Sequence, residues 1–274
     1  MILFRRSHES DNPLKNFLFK VFGFPHIGTR IRADAVFSLI LNFKPGIKVL
    51  DIGCGRAFFG MELQKRGAEV YYIDLLKGID HKSIKSVRNV FYKDNLAFNF
   101  QVGFANKLPF KDDIFDIILI PDVIEHIKEE YEVISEMKRV LKSNGYFIAS
   151  TPAYGFHSGK FKWFFRFIHR NTFLKYVPIW NENYLYPQLH MKAKGHLREY
   201  SLNRWMDLAS KFDMNFSDYR WEYKLFGALF VELSHTFNAF EKYGGFVFFL
   251  FYPLVKLDNL LPIKGTGIAV RIHK

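Results

Sequence analysis

Ile47-Lys48-Val49-Leu50-Asp51-Ile52-Gly53-Cys54-Gly55-Arg56-Ala57 is the stretch whose reading decides the fold. Residues 47–52 form a short run, rich in β-branched and apolar side chains, that ends in glycines. Such a run suits a strand buried on both faces. Residues 57–66 read as a helix stopped by Gly67, and 69–75 as a second strand. A strand, a glycine turn, a helix and a strand at this spacing form the repeating unit of a parallel sheet.

The rhythm continues outward. Residues 81–91 are weakly helical, and 98–103 and 115–120 (FDIILI) read as strands. Across 129–141, Val133, Ile134, Met137, Val140 and Leu141 make a helical stripe that Asn144-Gly145 is expected to end. A fifth strand follows at 146–151. Later come a helix over 201–212 and strands over 216–223 and 268–273. The expected fold is α/β: a Rossmann-like, doubly wound, mostly parallel seven-stranded sheet with helices on both faces. Residues 1–45 read as an N-terminal helical extension, with helical pattern at 33–42. Residues 46–274 read as the cofactor-binding domain, with 152–198 as an aromatic-rich insertion or lid on the substrate side.

Composition bounds the function. With 49% apolar and 24% charged residues, the 274-residue chain is neither disordered nor fibrous. The net charge of +12 is concentrated late, since residues 151–274 carry 17 basic and 9 acidic side chains. Such a surface attracts phosphate-bearing partners such as anionic lipid, a nucleotide sugar or nucleic acid, although solubility alone also explains it. A single cysteine, Cys54, excludes an internal disulfide. No apolar signal region follows Arg5 and Arg6, and the longest uncharged apolar run, 243–255, is too short to span a bilayer. A cytoplasmic protein is expected, with peripheral membrane association as an option.

Asp51, Gly53 and Gly55 lie between a buried strand and a helix, where glycines let the backbone turn tightly against a ligand. Asp74 closes the second strand, placed to accept the two hydroxyls of a ribose. A dinucleotide site would need a third glycine where Phe58 stands, and the charge of Asp51 disfavours a pyrophosphate there. That charge suits the ammonium of a methionine moiety.

VLDIGCGRAFFG (49–60), VYYID (70–74), LPFKDDIFDIILIPDVIEHI (108–127) and EMKRVLKSNGYFIASTP (136–152) together resemble the class I S-adenosylmethionine methyltransferases of the type 11 kind, and HLREYS (196–201) resembles a later segment of that group. The resemblance implies S-adenosyl-L-methionine as cofactor. It places Asp51, Gly53 and Gly55 around the amino-acid part and ribose, Asp74 on the ribose hydroxyls, Leu75 and Ala105 at the adenine, and Pro121 and Asp122 at the methyl-donor region. Phe104 stands where the group often has an acid for the adenine amino group.

Methyl transfer asks mainly for alignment, and an oxygen acceptor also asks for a base. His196 and His126 are the catalytic candidates. If 122–126 opens a helix, Asp122, Glu125 and His126 come together as a potential divalent-metal set with His196 as a further ligand; the same Glu-His pair also occurs in relatives without metal, and no metal is assigned. Lys160, Lys162, Arg166, Arg170 and Lys175, interleaved with Phe161, Trp163, Phe164, Phe165 and Phe167, suggest either a docking face for an anionic acceptor or an amphipathic helix packed on the core. The expected acceptor is an oxygen of a small molecule, glycan or lipid-linked precursor; no RNA-binding module is recognised. The competing readings are a nicotinamide-dependent oxidoreductase and a non-catalytic binding protein on the same fold.

Overall fold

The computed structural model describes residues 27–75, 81–153, 195–236 and 252–274. In chain order the elements are α1 (Ile27–Ser38), β1 (Lys48–Ile52), α2 (Phe58–Lys65), β2 (Glu69–Asp74), α3 (His81–Lys93), β3 (Asn99–Val102), β4 (Phe115–Pro121), α4 (Glu130–Val140), β5 (Leu141–Pro152), α5 (Leu202–Lys211), β6 (Asn215–Glu222), α6 (Phe226–Thr236), α7 (Tyr252–Leu257) and β7 (Gly267–His273). The seven strands form one sheet in the order β3-β2-β1-β4-β5-β7-β6. β1 to β5 run parallel, and β7 is antiparallel to both β5 and β6.

The central strands are apolar at most positions because both sheet faces are covered. Val49 and Leu50 are fully buried on opposite faces, as are Ile117 and Ile118. One face packs against Val36 and Phe37 of α1, Met61 and Leu63 of α2 and Phe91 of α3. The other packs against Val133, Ile134 and Met137 of α4 and Trp205 and Leu208 of α5. Burying side chains of this size contributes roughly 1.5–3 kcal/mol each before entropy is counted. The doubly wound, mostly parallel arrangement expected from the strand rhythm is thus present.

Three details depart from the local reading. β5 starts at Leu141, which pairs with Phe115, so Asn144-Gly145 sits inside strand irregularity instead of a separate turn. The helix expected at 33–42 lies at 27–38. It packs directly on the sheet: Arg271 of β7 donates to the Leu39 carbonyl at 2.8 Å, and Tyr146 of β5 exchanges hydrogen bonds with the Leu41 backbone at 3.0 Å. Residues 27–45 are therefore bound into the domain. Residues 154–194, with the expected lid and its Lys/Arg-aromatic run, lie outside the described residues, as does most of the apolar run 243–255.

Candidate active site

The glycine loop follows β1 at the carboxyl edge of the sheet, beside the β1–β4 junction where the strand order reverses. Gly53, Gly55 and Ala57 all take left-handed backbone conformations, with φ of 64°, 51° and 59°. The loop is tethered to the end of β2: Gly53 N–H donates to the Ile73 carbonyl at 2.8 Å, and Gly55 N–H to Asp74 Oδ2 at 2.7 Å. A Cβ at Gly53 would overlap the Val123 side chain, whereas one at Gly55 would meet open space. Gly53 thus closes the loop on the β4 side, and Gly55 leaves room for a ligand.

Asp51 is buried. Its Oδ2 accepts from Gly60 N–H in the first turn of α2 at 3.0 Å, and its Oδ1 has no hydrogen-bond partner. Burial raises its pKa to about 7; the Gly60 amide opposes that and the Asp74 charge adds to it. An unpaired buried carboxylate oxygen is unfavourable until a donor arrives, and a ligand ammonium is such a donor. Asp74, half-buried, is also raised by burial, and the Gly55 and Leu75 amides hold its two oxygens. Each oxygen keeps a lone pair for a ribose hydroxyl. Leu75 is exposed, Ala105 is half-buried against the core, and Phe104 presents a 62% exposed ring one residue after Gly103, whose N–H bonds the Asp74 carbonyl at 3.2 Å. Leu75, Phe104 and Ala105 are apolar surfaces suited to a flat aromatic base. The residues present fit S-adenosylmethionine.

A second site adjoins the loop through Val123. Pro121 ends β4, and Asp122 turns the chain at φ 52°, with its N–H on the Ser150 carbonyl at 2.7 Å. Residues 122–126 do not open an α-helix, the condition on which Asp122, Glu125 and His126 would come together. Ile124–His126 form one 3-10 turn, and the Asp122 carboxylate faces away to an ion pair with Arg32 of α1. Asp122 therefore does not join Glu125 and His126 in the optional donor set. The three side chains that come together are Glu125, His126 and His196, whose ligand atoms all lie within 4.8 Å of one another.

His196 owes its place to a strip of chain laid across the ends of β4 and β5. Leu197 N–H donates to the Glu125 carbonyl at 2.8 Å, and Tyr200 N–H to the Pro152 carbonyl at 2.9 Å. Arg198 and Arg204 both pair with the buried Glu130 of α4, at 3.2 and 2.6 Å. Ser201 caps α5 by accepting from the Arg204 amide, and Trp205 donates to Thr151 Oγ1 at 3.2 Å. The His126 and His196 rings then meet edge to face, 4.6 Å between centroids.

Arg32, Asp122, His126, Thr151, Pro152, His196, Glu222 and Tyr223 line a cavity of about 200 Å³. Ser150 Oγ donates to Glu222 Oε1 at 2.8 Å and approaches Asp122 Oδ1 at 3.5 Å. Burial raises Glu222 to about 8 and, with the Asp122 charge, Glu125 to about 9. Burial alone would lower the Arg32 guanidinium, but Asp122, Tyr223, Glu222 and Glu125 more than offset this and hold it above its ordinary value. Arg32, Thr151, Glu222 and Tyr223 were not singled out from the sequence. The only signal was an acid at the end of a strand, Glu222, which is common on surfaces.

A glycine loop and a strand-end acid at the carboxyl edge of a doubly wound sheet are the arrangement of a nucleotide-cofactor fold, here with a polar cavity beside the loop. Residues 50–149 match the family model of the methyltransferase domain. The chain is 33% identical over 132 residues to the demethylmenaquinone methyltransferase of Bacillus subtilis (strain 168), a match covering 46% of this chain and 55% of that one. It is 28% identical over 133 residues to the ubiquinone biosynthesis O-methyltransferase of Rickettsia typhi, covering 47% and 52%. The chain thus spans about half the length of these curated relatives. The fold is also that of an S-adenosylmethionine-dependent methyltransferase from Mesorhizobium loti, with TM-score 0.54, 14% identity and coverage of 90% and 96%. The geranyl diphosphate C-methyltransferase of Streptomyces coelicolor A3(2), solved with S-adenosyl-L-homocysteine, gives TM-score 0.55 at 12% identity, covering 89% and 77%. Among the described residues no helix is long and apolar enough to cross a membrane.

Proposed function

We propose that the chain transfers a methyl group from S-adenosylmethionine to an oxygen of an acceptor whose reacting end is small and polar, seated in the cavity between Arg32, Asp122, His126, His196 and Glu222. The observation that carries this reading is the buried, unpartnered Oδ1 of Asp51 beside the Gly53–Gly55 loop, next door to a cavity walled by two imidazoles. When bound, S-adenosylmethionine supplies a methyl group already activated on a sulfonium. Asp51 holds the ammonium of its amino-acid part, Gly53 and Gly55 let the backbone approach, and Asp74 orients the ribose. Leu75 and Ala105 bound the adenine, while Pro121 and Asp122 mark the border between donor and acceptor. The acceptor hydroxyl would give up its proton as it takes that methyl group, with the cofactor's sulfur keeping the electron pair of the broken C–S bond.

That hydroxyl is activated at the His126–His196 pair. The Nδ1 of His126 lies 3.2 Å from the Gly195 carbonyl, which can only accept, so Nδ1 carries the proton. In that tautomer Nε2 is the nitrogen with the lone pair, and the ring lines the cavity. The polar lining suits a hydroxyl-rich end such as a glycan, and equally the polar head of a lipid-linked precursor; a quinone-type acceptor is what the names of the two curated relatives suggest.

Thermal unfolding with S-adenosylmethionine, S-adenosylhomocysteine and NAD in parallel tests the cofactor. Ligand at a hundredfold its dissociation constant adds about 2.7 kcal/mol, which raises the midpoint by roughly 5–10 °C for a chain of this size. A rise with the two sulfur compounds alone supports the reading; a rise with NAD alone overturns it.

A further inference from the structure

Residues 252–264 carry an apolar surface that neither the cofactor loop nor the acceptor cavity uses. Two side chains pin the segment from within. Val255 of α7 is buried in one apolar cluster with Ile27 of α1 and Ala228 and Val231 of α6. The buried carboxylate of Asp258 accepts from the amides of Leu225, Phe226 and Gly227 at 3.2, 2.9 and 2.8 Å, and so caps the start of α6. With Val255 and Asp258 turned inward, Leu254, Leu257, Leu260 and Ile263 are left exposed. They recur at intervals of three through α7 and the 3-10 turn Asp258–Leu260, a spacing that sets side chains along one side. Leu260 is 78% exposed, and Leu225, bonded to Asp258 through its amide, is exposed beside them. Exposed leucines scattered singly are ordinary, but a contiguous row marks an interaction surface.

The charges around the row select what it meets. Within 252–264 the exposed charged residues are Lys256 and Lys264, and the single acid, Asp258, is buried. Lys224 adds a third cation, its Nζ 2.9 Å from the Leu261 carbonyl. Asp34, which pairs with Lys256 at 3.0 Å, is shared with Arg30. Leucines bordered by lysines match a bilayer with anionic headgroups: the aliphatic groups enter the acyl boundary, and the ammonium groups stay at the phosphates. The segment also lies at the edge of the sheet that bears the site. β7 begins at Gly267, opposite Pro152 and Glu222 at the carboxyl ends of β5 and β6. Tyr223 lines the acceptor cavity and also a larger one, of about 460 Å³, bounded by Tyr252, Val255 and Lys256 of α7.

We propose that Leu254, Leu257, Leu260 and Ile263, with Lys256 and Lys264 at their border, form a surface that docks the protein on an anionic lipid bilayer. The six residues of α7 are too short to span a bilayer, so the segment lies in its interface. Docking turns the carboxyl edge of the sheet toward the headgroups, where a lipid-anchored acceptor presents its polar end. That use of the orientation rests on the methyltransferase reading above; the docking does not.

The test is co-sedimentation of the full chain with vesicles of phosphatidylcholine alone or mixed with phosphatidylglycerol. Expected is binding to the mixed vesicles that weakens with added salt, and much weaker binding to phosphatidylcholine alone. The double variant Leu257→Glu, Leu260→Glu should bind the mixed vesicles at least about tenfold more weakly, and Lys264→Ala about fivefold more weakly. Met206→Glu, which alters an exposed side chain of α5 on the other face of the sheet, should change nothing. S-adenosylhomocysteine binding and the thermal midpoint should match the wild type in every variant and so show that all are folded. No binding of the wild type to mixed vesicles, or equal binding by the double variant, overturns the proposal. So does a wild-type dimer that the double variant breaks, because the occupant is then a second copy of this chain. A lowered thermal midpoint in the double variant overturns it as well, because the leucines are then covered within the chain. Absence of S-adenosylhomocysteine binding in a protein that does dock on vesicles would instead sink the functional reading and leave the docking surface standing.

Discussion

The ionisation of Asp51 should govern cofactor affinity, and its effect can be worked from the structure. The carboxyl is 1% exposed, with one oxygen on the Gly60 amide and the other unpartnered. Burial, the largest cause, places its pKa at about 7. Only the ionised form pairs with the ammonium of the ligand. At about pH 6 roughly one molecule in eleven carries the charge, and at about pH 8 roughly ten in eleven do, so affinity should rise about tenfold across that window. The stability of the free protein should move the other way. A carboxyl whose folded pKa is raised contributes stability below its ordinary value, and that contribution is lost as pH climbs through about 7. Calorimetric titration of S-adenosylhomocysteine at several pH values measures the first slope. In Asp51→Asn the slope should flatten, and affinity at about pH 8 should fall roughly 10- to 100-fold, as for loss of a hydrogen bond to a charged group. An unchanged slope in the variant, or a flat one in the wild type, would refute the assignment of Asp51.

Further outcomes are expected. Gly53→Ala places a methyl group into Val123 at a left-handed φ of 64°; a loss of about 1–3 kcal/mol in urea unfolding with weakened cofactor binding is expected. Arg32→Met leaves Asp122 unpaired beside Glu222, costing about 2–4 kcal/mol near neutral pH, and adding Asp122→Asn should restore part of it in a double-mutant cycle. Glu222, raised to about 8 by burial, contributes stability below its ordinary value that is lost as pH rises to about 8. The stability gap between Glu222→Gln and the wild type should therefore widen by about 2–4 kcal/mol from about pH 5 to about pH 8 and then level off. Cys54 is buried, and burial pushes its thiol pKa up. The native protein should therefore react with a disulfide reagent far more slowly than the unfolded chain.

The glycine loop and the acid ending β2 were legible because their information is local. Asp51, Gly53 and Gly55 lie within five residues of one strand end, and Asp74 ends the next strand along, so strand rhythm and turn chemistry suffice to place them. The acceptor half was not, because it is assembled across the chain. Arg32 comes from the helix before β1, Glu222 from an outer strand, and His196 from a strip held by Glu130 and the Glu125 backbone. Nothing in residues 122–126 as a string shows that Asp122 will adopt a left-handed backbone and turn its carboxylate to an arginine 90 positions earlier. The pairing of His126 with His196 was foreseen as an option, but its ligand set depended on that turn.

The position of β7 sets an order of assembly. β6 meets the rest of the sheet only through β7, which lies between it and β5. The strand carrying Glu222 therefore has no edge to join until residues 267–273 have docked against 146–152, a pairing more than a hundred positions apart in the chain. Contacts that distant form slowly, because loop closure precedes any gain from pairing. The glycine loop, tethered to the end of β2 and packed on Val123 just after β4, depends on no such distant pairing. Refolding should therefore order the glycine loop in an early phase and the walls of the second cavity in a late one.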